Sequence, residues 1–367
     1  MKIELSRLIV APDTSIQDCL GKINEGSLGI IMVCSEDYIL EGVITDGDIR
    51  RAFLEGKSLD APCIDIAGKS PLTASPGVTT QEALDIMDHG KEHTVHHLPI
   101  VDDDGKIVDL LLRRDLCDVS SCSPELRAVV MAGGFGTRLR PLTEAMPKPM
   151  LPVGDRPLLE RIIDQLKQAE IRHINITTHF MPEKIVEHFG NGENFGVDIN
   201  YVSEDKPLGT AGALSLIDKP DTPLLVINGD ILTQVDFSAM LAFHKEQKAA
   251  LTVGVRQYEF QIPYGVVECD GPNVCKLSEK PTKTFLVNAG IYLLEPEVQQ
   301  MVPSGKFTDM TDLIECLLKQ GQTVTSFPVM EYWLDIGQIA DYEKAQSDIA
   351  AFGINGSMRY SKKESNS

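Results

Sequence analysis

LRAVVMAGGFGTRLRPLTEAMPKPM, residues 126–150, is the stretch whose reading decides the fold. It opens on a continuous apolar run, as expected of a strand covered on both faces by helices rather than half-exposed. Glycines then occupy three of four positions, 133, 134 and 136. A glycine turn at the end of a parallel strand lets backbone N–H groups come close to a phosphate. Arg138, Arg140 and Lys148 follow within eleven residues, the lysine held between Pro147 and Pro149. The stretch contains no GxxxxGK[ST], and its glycine spacing is not GxGxxG. The reading is therefore a polyphosphate site of another kind; a glycine turn beside solvated surface charge is the alternative on spacing alone.

The sequence beyond this stretch alternates. RPLLERIIDQLKQAE, from Arg156, predicts a helix with Pro157 in its first turn and a buried stripe of Leu158, Leu159, Ile162, Ile163 and Leu166. A strand HINITT starts at His173, a helix MPEKIVEHFG ends at Gly190, and a strand VDINYVSE starts at Val197. LGTAGALSLI supplies a turn and helix, and TPLLVINGD a strand ending at Gly229 and Asp230. Such alternation indicates a Rossmann-like, doubly wound α/β domain, whose ligands bind beyond the carboxyl ends of the strands. Gly133, Glu204 and Asp230 all fall at such ends.

The chain has 367 residues, enough for two or three compact domains, and a formal charge of −20. That charge argues against a nucleic-acid binder but leaves room for a small anionic substrate at a local cationic cluster. The cysteines at 19, 34, 63, 117, 122, 269, 275 and 316 include no CxxC pair, and are expected to be reduced and mostly buried. No run reaches 18 apolar residues, and MKIELSRLIV has no long apolar core, so the expectation is a cytoplasmic protein without membrane association.

Composition changes near residue 122, at the polar joint DVSSCSPELR. Before it, EGVITDGDIRRAF from Glu41 and VDLLLRRDLCDV from Val108 place Asp48 and Asp115 67 residues apart. Each follows a β-type run, with another apolar run and a candidate helix upstream; in the second copy Thr79 or Thr80 can cap a helix with Glu82 in its first turn. This is the pattern of an internal duplication. The segment resembles a tandem CBS pair, whose cleft in that family often holds an adenine nucleotide. The resemblance puts Thr45 and Asp48 opposite a ribose. The second copy departs from it: Asp109 stands where the first has Gly42, and Leu112 where it has Thr45, although Asp115 remains. One ligand site, or none, and a dimerising role all stay open; a homo-oligomer through this module is expected in either case.

AGGFGTRLRPLTEAMPKPMLPVGDRPLLE is similar to the signature of the sugar-1-phosphate nucleotidyltransferases. PLGTAGAL, VINGD, EKP, VNAGIY and WLDIG follow in the family order. The expected domains are a CBS pair over 1–122, a nucleotidyltransferase over 123–349 and a polar, disordered tail over 350–367. The resemblance implies attack of a sugar 1-phosphate on the α-phosphorus of a nucleoside triphosphate, with release of pyrophosphate. It implies that Gly133, Gly134, Gly136, Thr137, Arg138, Glu204 and Gly209 meet the nucleotide. Arg138, Lys148 and Asp230 would be catalytic, and Asp230 and Asp335 would hold Mg²⁺. Gly265, Glu279, Lys280, Asn288 and Gly290 would receive the sugar phosphate. A regulatory subunit that binds nucleotide without catalysis is the alternative class.

Glu204 bears on the base. Pyrimidine-using relatives carry Gln in the corresponding region, and a carboxylate only accepts hydrogen bonds. Guanine offers two adjacent donors, N1–H and N2–H₂, so GTP is expected. A CBS pair joined to a short transferase is the layout of glucosamine-1-phosphate guanylyltransferases of legionaminic acid synthesis. That resemblance makes glucosamine 1-phosphate the expected acceptor, with mannose 1-phosphate and a heptose 1-phosphate as alternatives.

Overall fold

The computed structural model describes residues 4–26, 28–89, 95–116 and 126–352. It divides into two compact units, Met1–Glu125 and Leu126–Ser367, three residues beyond the expected joint. Residues 353–367, most of the expected tail, lie outside the described residues, and residues 350–352 belong to the last helix.

The first unit carries the duplication in its hydrogen bonding. Strands Ile30–Cys34 and Leu40–Thr45 pair antiparallel with Ile30 opposite Thr45. Strands His97–Val101 and Ile107–Leu112 pair with His97 opposite Leu112, the same register 67 residues on. Both hairpins carry an irregularity at the equivalent step, Val33/Cys34 and Ile100/Val101. The copies share one core, with Leu8, Ile30, Met32 and Cys34 packed against Ile107, Leu110 and Leu112. Thr45 and Asp48 form a reciprocal helix cap. The Thr45 hydroxyl and N–H both donate to Asp48 Oδ2, at 2.6 and 2.7 Å, and Asp48 Oδ1 pairs with Arg51 at 2.5 Å. This cap accounts structurally for the residues that the CBS resemblance assigns to a ribose. Leu112 cannot form it, and Asp115 is exposed on a helix of one turn, Arg113–Leu116. In the second copy Thr79, not Thr80, caps the helix, its hydroxyl donating to Glu82 at 2.7 Å.

The second unit is built on a seven-stranded sheet. Its strands in chain order are β1 (Arg127–Met131), β2 (His173–Thr178), β3 (Asp198–Ser203), β4 (Leu224–Asn228), β6 (Leu251–Gln261), β9 (Thr282–Leu294) and β10 (Val324–Pro328). A small pair lies outside it, β5 (Ile231–Thr233) with β11 (Trp333–Asp335), as does a hairpin, β7 (Val266–Asp270) with β8 (Asn273–Ser278). The spatial order is β3-β2-β1-β4-β9-β6-β10. The first four strands are parallel, as the alternation predicts. β9 joins β4 antiparallel, and β6 joins β9 antiparallel, so the sheet is mixed.

The apolar run of β1 is explained by the two cores. Ala128 and Val130 enter the cluster under helices α1 (Leu158–Gln168), α2 (Pro182–Phe189) and α3 (Phe237–Glu246). Val129, between them, enters the cluster under α4 (Met310–Lys319). Leu224 to Ile227 on β4 alternate in the same way. Each Val, Leu or Ile among them, fully buried, contributes about 1.5–3 kcal/mol. The stripe of α1 is buried as predicted, although Pro157 sits just before the helix in extended conformation rather than within its first turn. β6 and β9 run past the sheet as a ribbon whose far half is exposed.

The cysteines depart from expectation. Cys19, Cys34 and Cys63 are buried in the first unit, but Cys269, Cys275 and Cys316 are exposed, and Cys117 and Cys122 lie outside the described residues. Two of the exposed three sit on the β7–β8 hairpin, which has no core of its own.

Candidate active site

Successive strands depart to opposite sides of β1: β2 and β3 to one side, β4 to the other. The carboxyl ends of β1 and β4 therefore flank a crevice at the switch in strand order. They are in register, Asn228 opposite Met131, and the Gly229 N–H donates to Met131 O at 2.9 Å. That close approach excludes a side chain at 229, where a Cβ would lie 2.8 Å from Met131 O. Asp230 thus emerges beside the glycine turn.

The turn is shaped around Lys148. Gly136 has φ +61, and a Cβ there would lie 2.9 Å from Thr143 Cγ2 and 3.1 Å from Lys148 Cβ. The buried Thr143 hydroxyl donates to Gly136 O at 2.8 Å. Lys148 begins a single turn of 3-10 helix after the extended Pro147; it is 8% exposed, and its Nζ meets Asp230 Oδ2 at 2.5 Å. A buried ammonium needs such a partner. Pairing of β5 with β11 brings in the second carboxylate: Ile231 lies opposite Asp335, and the Ile336 N–H donates to Asp230 O at 3.0 Å. Asp335 is open to the cleft, yet its carboxyl is held above the usual range, first by desolvation from the surrounding wall and then by the Asp230 charge. Lys148 and Arg138 act the other way. The exposed Arg138 guanidinium reaches the same corner: a Cβ at Gly337 would lie 3.6 Å from it and 3.5 Å from Asp335 Oδ2. Gly134, Gly136, Thr137, Arg138, Lys148, Asp230 and Gly337 line a cavity of about 280 Å³.

Two carboxylates, Asp230 immediately before β5 and Asp335 at the end of β11, one with its charge opposed by the other, fit a hard divalent cation. Mg²⁺ commonly takes one or two protein carboxylates and completes its shell with phosphate and water. Among the described residues no cluster of three or more His, Cys, Asp or Glu side chains is placed to hold a metal ion.

Glu204 is 8% exposed, just past β3, with its N–H donating to Thr178 O at 3.0 Å. Its Oε2 accepts the Leu208 N–H at 2.9 Å, which closes the loop between them. Its Oε1 faces the glycine turn, where a Cβ at Gly133 would lie only 2.8 Å away. Glu204 therefore does two things: one oxygen holds its own loop and the other faces the crevice. Gly209 has a packing role that its motif did not reveal. With φ +81, a Cβ there would lie 2.6 Å from Thr308 O, and the Ala211 and Gly212 N–H groups donate to that same carbonyl.

The residues assigned to the sugar phosphate fall into two groups. Gly265 and Glu279 adjoin at the base of the β7–β8 hairpin, a Cβ at 265 lying 3.0 Å from Glu279 Oε2. Lys280, next in the chain, is exposed and has φ +44, a left-handed conformation uncommon for a residue other than glycine. Asn288 and Gly290 lie in β9 beside β4. Asn288 donates to the buried Tyr292 hydroxyl at 2.8 Å and accepts the Gly290 N–H at 2.9 Å. Gly290, with φ +67, admits the Asn228 amide, which a Cβ would meet at 2.5 Å. Sequence reasoning missed Thr143, Asn228 and Tyr292, although each stood inside a quoted motif without a role of its own.

The nucleotidyl transferase family model matches residues 127–351. The chain belongs to that family. The CBS domain model matches residues 5–55 and 63–121, so a tandem CBS module precedes the transferase unit. The chain is 34% identical over 227 residues to the mannose-1-phosphate guanyltransferase of Candida albicans, an alignment covering 59% of this chain and 62% of that one. With the mannose-1-phosphate guanylyltransferase of Mycobacterium tuberculosis it shares 32% over 235 residues, covering 61% and 65%. It thus spans under two thirds of the length of these curated relatives. Among solved structures, a putative glucose-1-phosphate thymidylyltransferase from Bacillus anthracis in complex with a sucrose matches with a TM-score of 0.50 at 27% identity. That match covers 65% of this chain and 98% of the other. Among the described residues no helix is long and apolar enough to cross a membrane.

Proposed function

We propose that the chain transfers a guanylyl group from GTP to a sugar 1-phosphate, mannose 1-phosphate being the acceptor best supported. The observation that carries the chemistry is the convergence of Lys148, Asp230, Asp335 and Arg138 on one cleft at the end of β1 and β4. A phosphate oxygen of the acceptor attacks the α-phosphorus. A new P–O bond forms, the bond to the β-phosphate oxygen breaks, and its electron pair leaves with pyrophosphate. A phosphate monoester is already nucleophilic, so the protein needs chiefly to align and neutralise two anions. Lys148, fixed by its prolines and the packing of Gly136, can place its ammonium on the transferring group in exchange for Asp230. Arg138, at the open side, can follow the departing charge with its fork of donors. Mg²⁺ held by Asp230 and Asp335 would supply charge neutralisation and polarise the phosphorus centre.

Glu204 supports GTP, since its crevice-facing Oε1 is an acceptor with no proton to give. The sugar reading differs from the one that domain layout suggests: the curated relatives described above are named for mannose 1-phosphate, and none of their names supports glucosamine 1-phosphate. Binding of an adenine nucleotide by the CBS module, and assembly through it, remain part of the proposal; Thr45 and Asp48 are engaged in their own helix cap. The test is pyrophosphate release by the full chain with each nucleoside triphosphate against mannose, glucosamine and heptose 1-phosphates. Release only with GTP and mannose 1-phosphate supports the reading; release with another pair replaces it, and none at all favours a non-catalytic nucleotide binder.

A further inference from the structure

The assignment of Glu204 to the base leaves open what holds that carboxylate in place while the glycine turn beside it takes up a nucleotide. The answer lies in His179, the first residue past β2. Its Nδ1 is 2.7 Å from Glu204 O. A carbonyl oxygen only accepts, so Nδ1 carries the proton and donates. The ring is also packed from the other side. Phe135, the one bulky residue inside the glycine turn, is 45% exposed, and its ring meets the His179 ring edge-to-face, centroids 5.3 Å apart at 89°. Phe180 adds a second ring against Phe135 at 5.7 Å. Between these contacts lies Gly133, where a Cβ would stand 3.5 Å from His179 Cβ and 2.8 Å from Glu204 Oε1. One imidazole therefore bridges the glycine turn and the main chain of the carboxylate.

Resting on the reading that Glu204 contacts the base, we infer that His179 is a positioning residue for nucleotide selection. It fixes Glu204 through its Nδ1–H and, through Phe135, ties that position to the conformation of the glycine turn. Main-chain hydrogen bonds at Thr178 and Leu208 hold Glu204 at its N–H and its carboxylate. His179 holds its carbonyl and also meets Phe135 in the glycine turn. A turn that closes on triphosphate pushes Phe135 against the ring, and the ring acts on Glu204. Selection of the base is then sharpest when the triphosphate is seated.

The experiment compares His179→Ala, His179→Asn, Phe135→Ala and Glu204→Gln in the full chain, with one sugar 1-phosphate. It measures kcat/KM for GTP and for UTP, and the Kd of each nucleotide without acceptor. A net hydrogen bond of ordinary strength corresponds to about three- to ten-fold. His179→Ala is expected to lower the GTP-over-UTP ratio by that factor, mainly through KM and Kd, with kcat for GTP nearly unchanged. Asparagine can place an amide donor where Nδ1 stands, so His179→Asn is expected to restore most of the ratio. Phe135→Ala is expected to lower the ratio for the triphosphates while leaving it unchanged for GMP over UMP, which do not seat the turn. If Glu204→Gln shifts the ratio and His179→Ala does not, the positioning role is overturned while the base reading stands. If Glu204→Gln shifts nothing, the base reading fails and takes this inference with it. Equal losses in His179→Ala and His179→Asn would also overturn it, since they would reduce the role to filling space.

Discussion

Gly136→Ala and Gly134→Ala differ by two positions in one turn, and the structure separates them sharply. At 136 the backbone is left-handed, φ +61, which costs an L-residue about 1–2 kcal/mol. The added Cβ would lie 2.9 Å from Thr143 Cγ2, on a buried side chain fixed by its hydrogen bond to Gly136 O, and 3.1 Å from Lys148 Cβ. Neither neighbour is the loose end of a side chain. Overpacking of this kind adds roughly 1 kcal/mol, giving a total loss of about 2–3 kcal/mol. At 134 nothing lies within 4 Å of the Cβ and φ is not positive, so alanine is tolerated and gains about 0.4–1 kcal/mol by restricting the unfolded chain. The single tryptophan, Trp333, reports on the transferase unit, its indole donating to Ala289 O at 2.9 Å. With an m of about 2–3 kcal/mol/M, Gly136→Ala should lower the urea midpoint of Trp333 fluorescence by roughly 0.7–1.5 M. The displaced Lys148 stem should also cut kcat by about ten- to a hundred-fold at saturating substrates. Matching urea midpoints for the two variants would refute the geometry drawn for the turn. A stability loss with normal kcat would refute the placement of Lys148 by that turn.

Lys148→Ala should reduce kcat by several decades while GTP binding, measured by calorimetry, stays detectable; near-parent turnover would remove Lys148 from the chemistry. Asp230→Asn should raise the Mg²⁺ concentration required for half-maximal rate or abolish activity, and an unchanged titration would exclude it as a ligand. In Glu204→Gln the Leu208 N–H still needs an acceptor, so the amide is held with its oxygen there and its NH₂ toward the crevice. The NH₂ then meets a guanine donor with no acceptor to offer it, so the GTP-over-UTP ratio in kcat/KM should fall by about one to two decades, the cost of roughly 1–3 kcal/mol for a buried donor left unpaired. His244 is buried between Thr252, 2.7 Å from its Nδ1, and Glu295, 3.1 Å from its Nε2. Desolvation lowers its pKa in spite of Glu295, so the unfolded chain binds its proton more readily. Its contribution to stability is then complete above the unfolded value near pH 6.5 and is lost as pH falls below it. Urea midpoints at pH 7.5 and 5.5 should converge in His244→Gln relative to the parent; an identical pH dependence would refute this.

The fold was legible where the chain repeats a physical demand. β1 and β4 are apolar over residues 128–131 and 224–227 because they are covered on both faces, and the stripe of α1 follows from one covered face. Gly133, Lys148 and Asp230 were legible because a strand end, a glycine turn and an isolated cation each stand out locally. The antiparallel entry of β9 beside β4 was not, since an apolar strand buried on both faces looks the same in either direction. Thr143 and His179 act through single hydrogen bonds to main-chain oxygens, at Gly136 and Glu204, and such bonds leave no pattern in residue type. Gly209 stood in a motif, but its reason, the carbonyl of Thr308, lies about a hundred residues away. Thr45 and Asp48 show the opposite case: a local cap, readable as such from the S/T-x-x-D/E spacing, that the CBS resemblance assigned to a ligand.

The pairing of Lys148 with Asp230 makes the resting cleft a small internal salt. Its cation and anion neutralise one another where the lysine is largely withdrawn from water and the carboxylate only partly so. An incoming anion that recruits the ammonium strips Asp230 of its counter-ion, and an incoming cation that recruits the carboxylate does the same to Lys148. Each guest thereby prepares the seat of the other, and by reciprocity the gain is equal in both directions. Two ligands of opposite sign can be made to arrive together without any hinge, lid or domain rotation, by the exchange of partners across 2.5 Å.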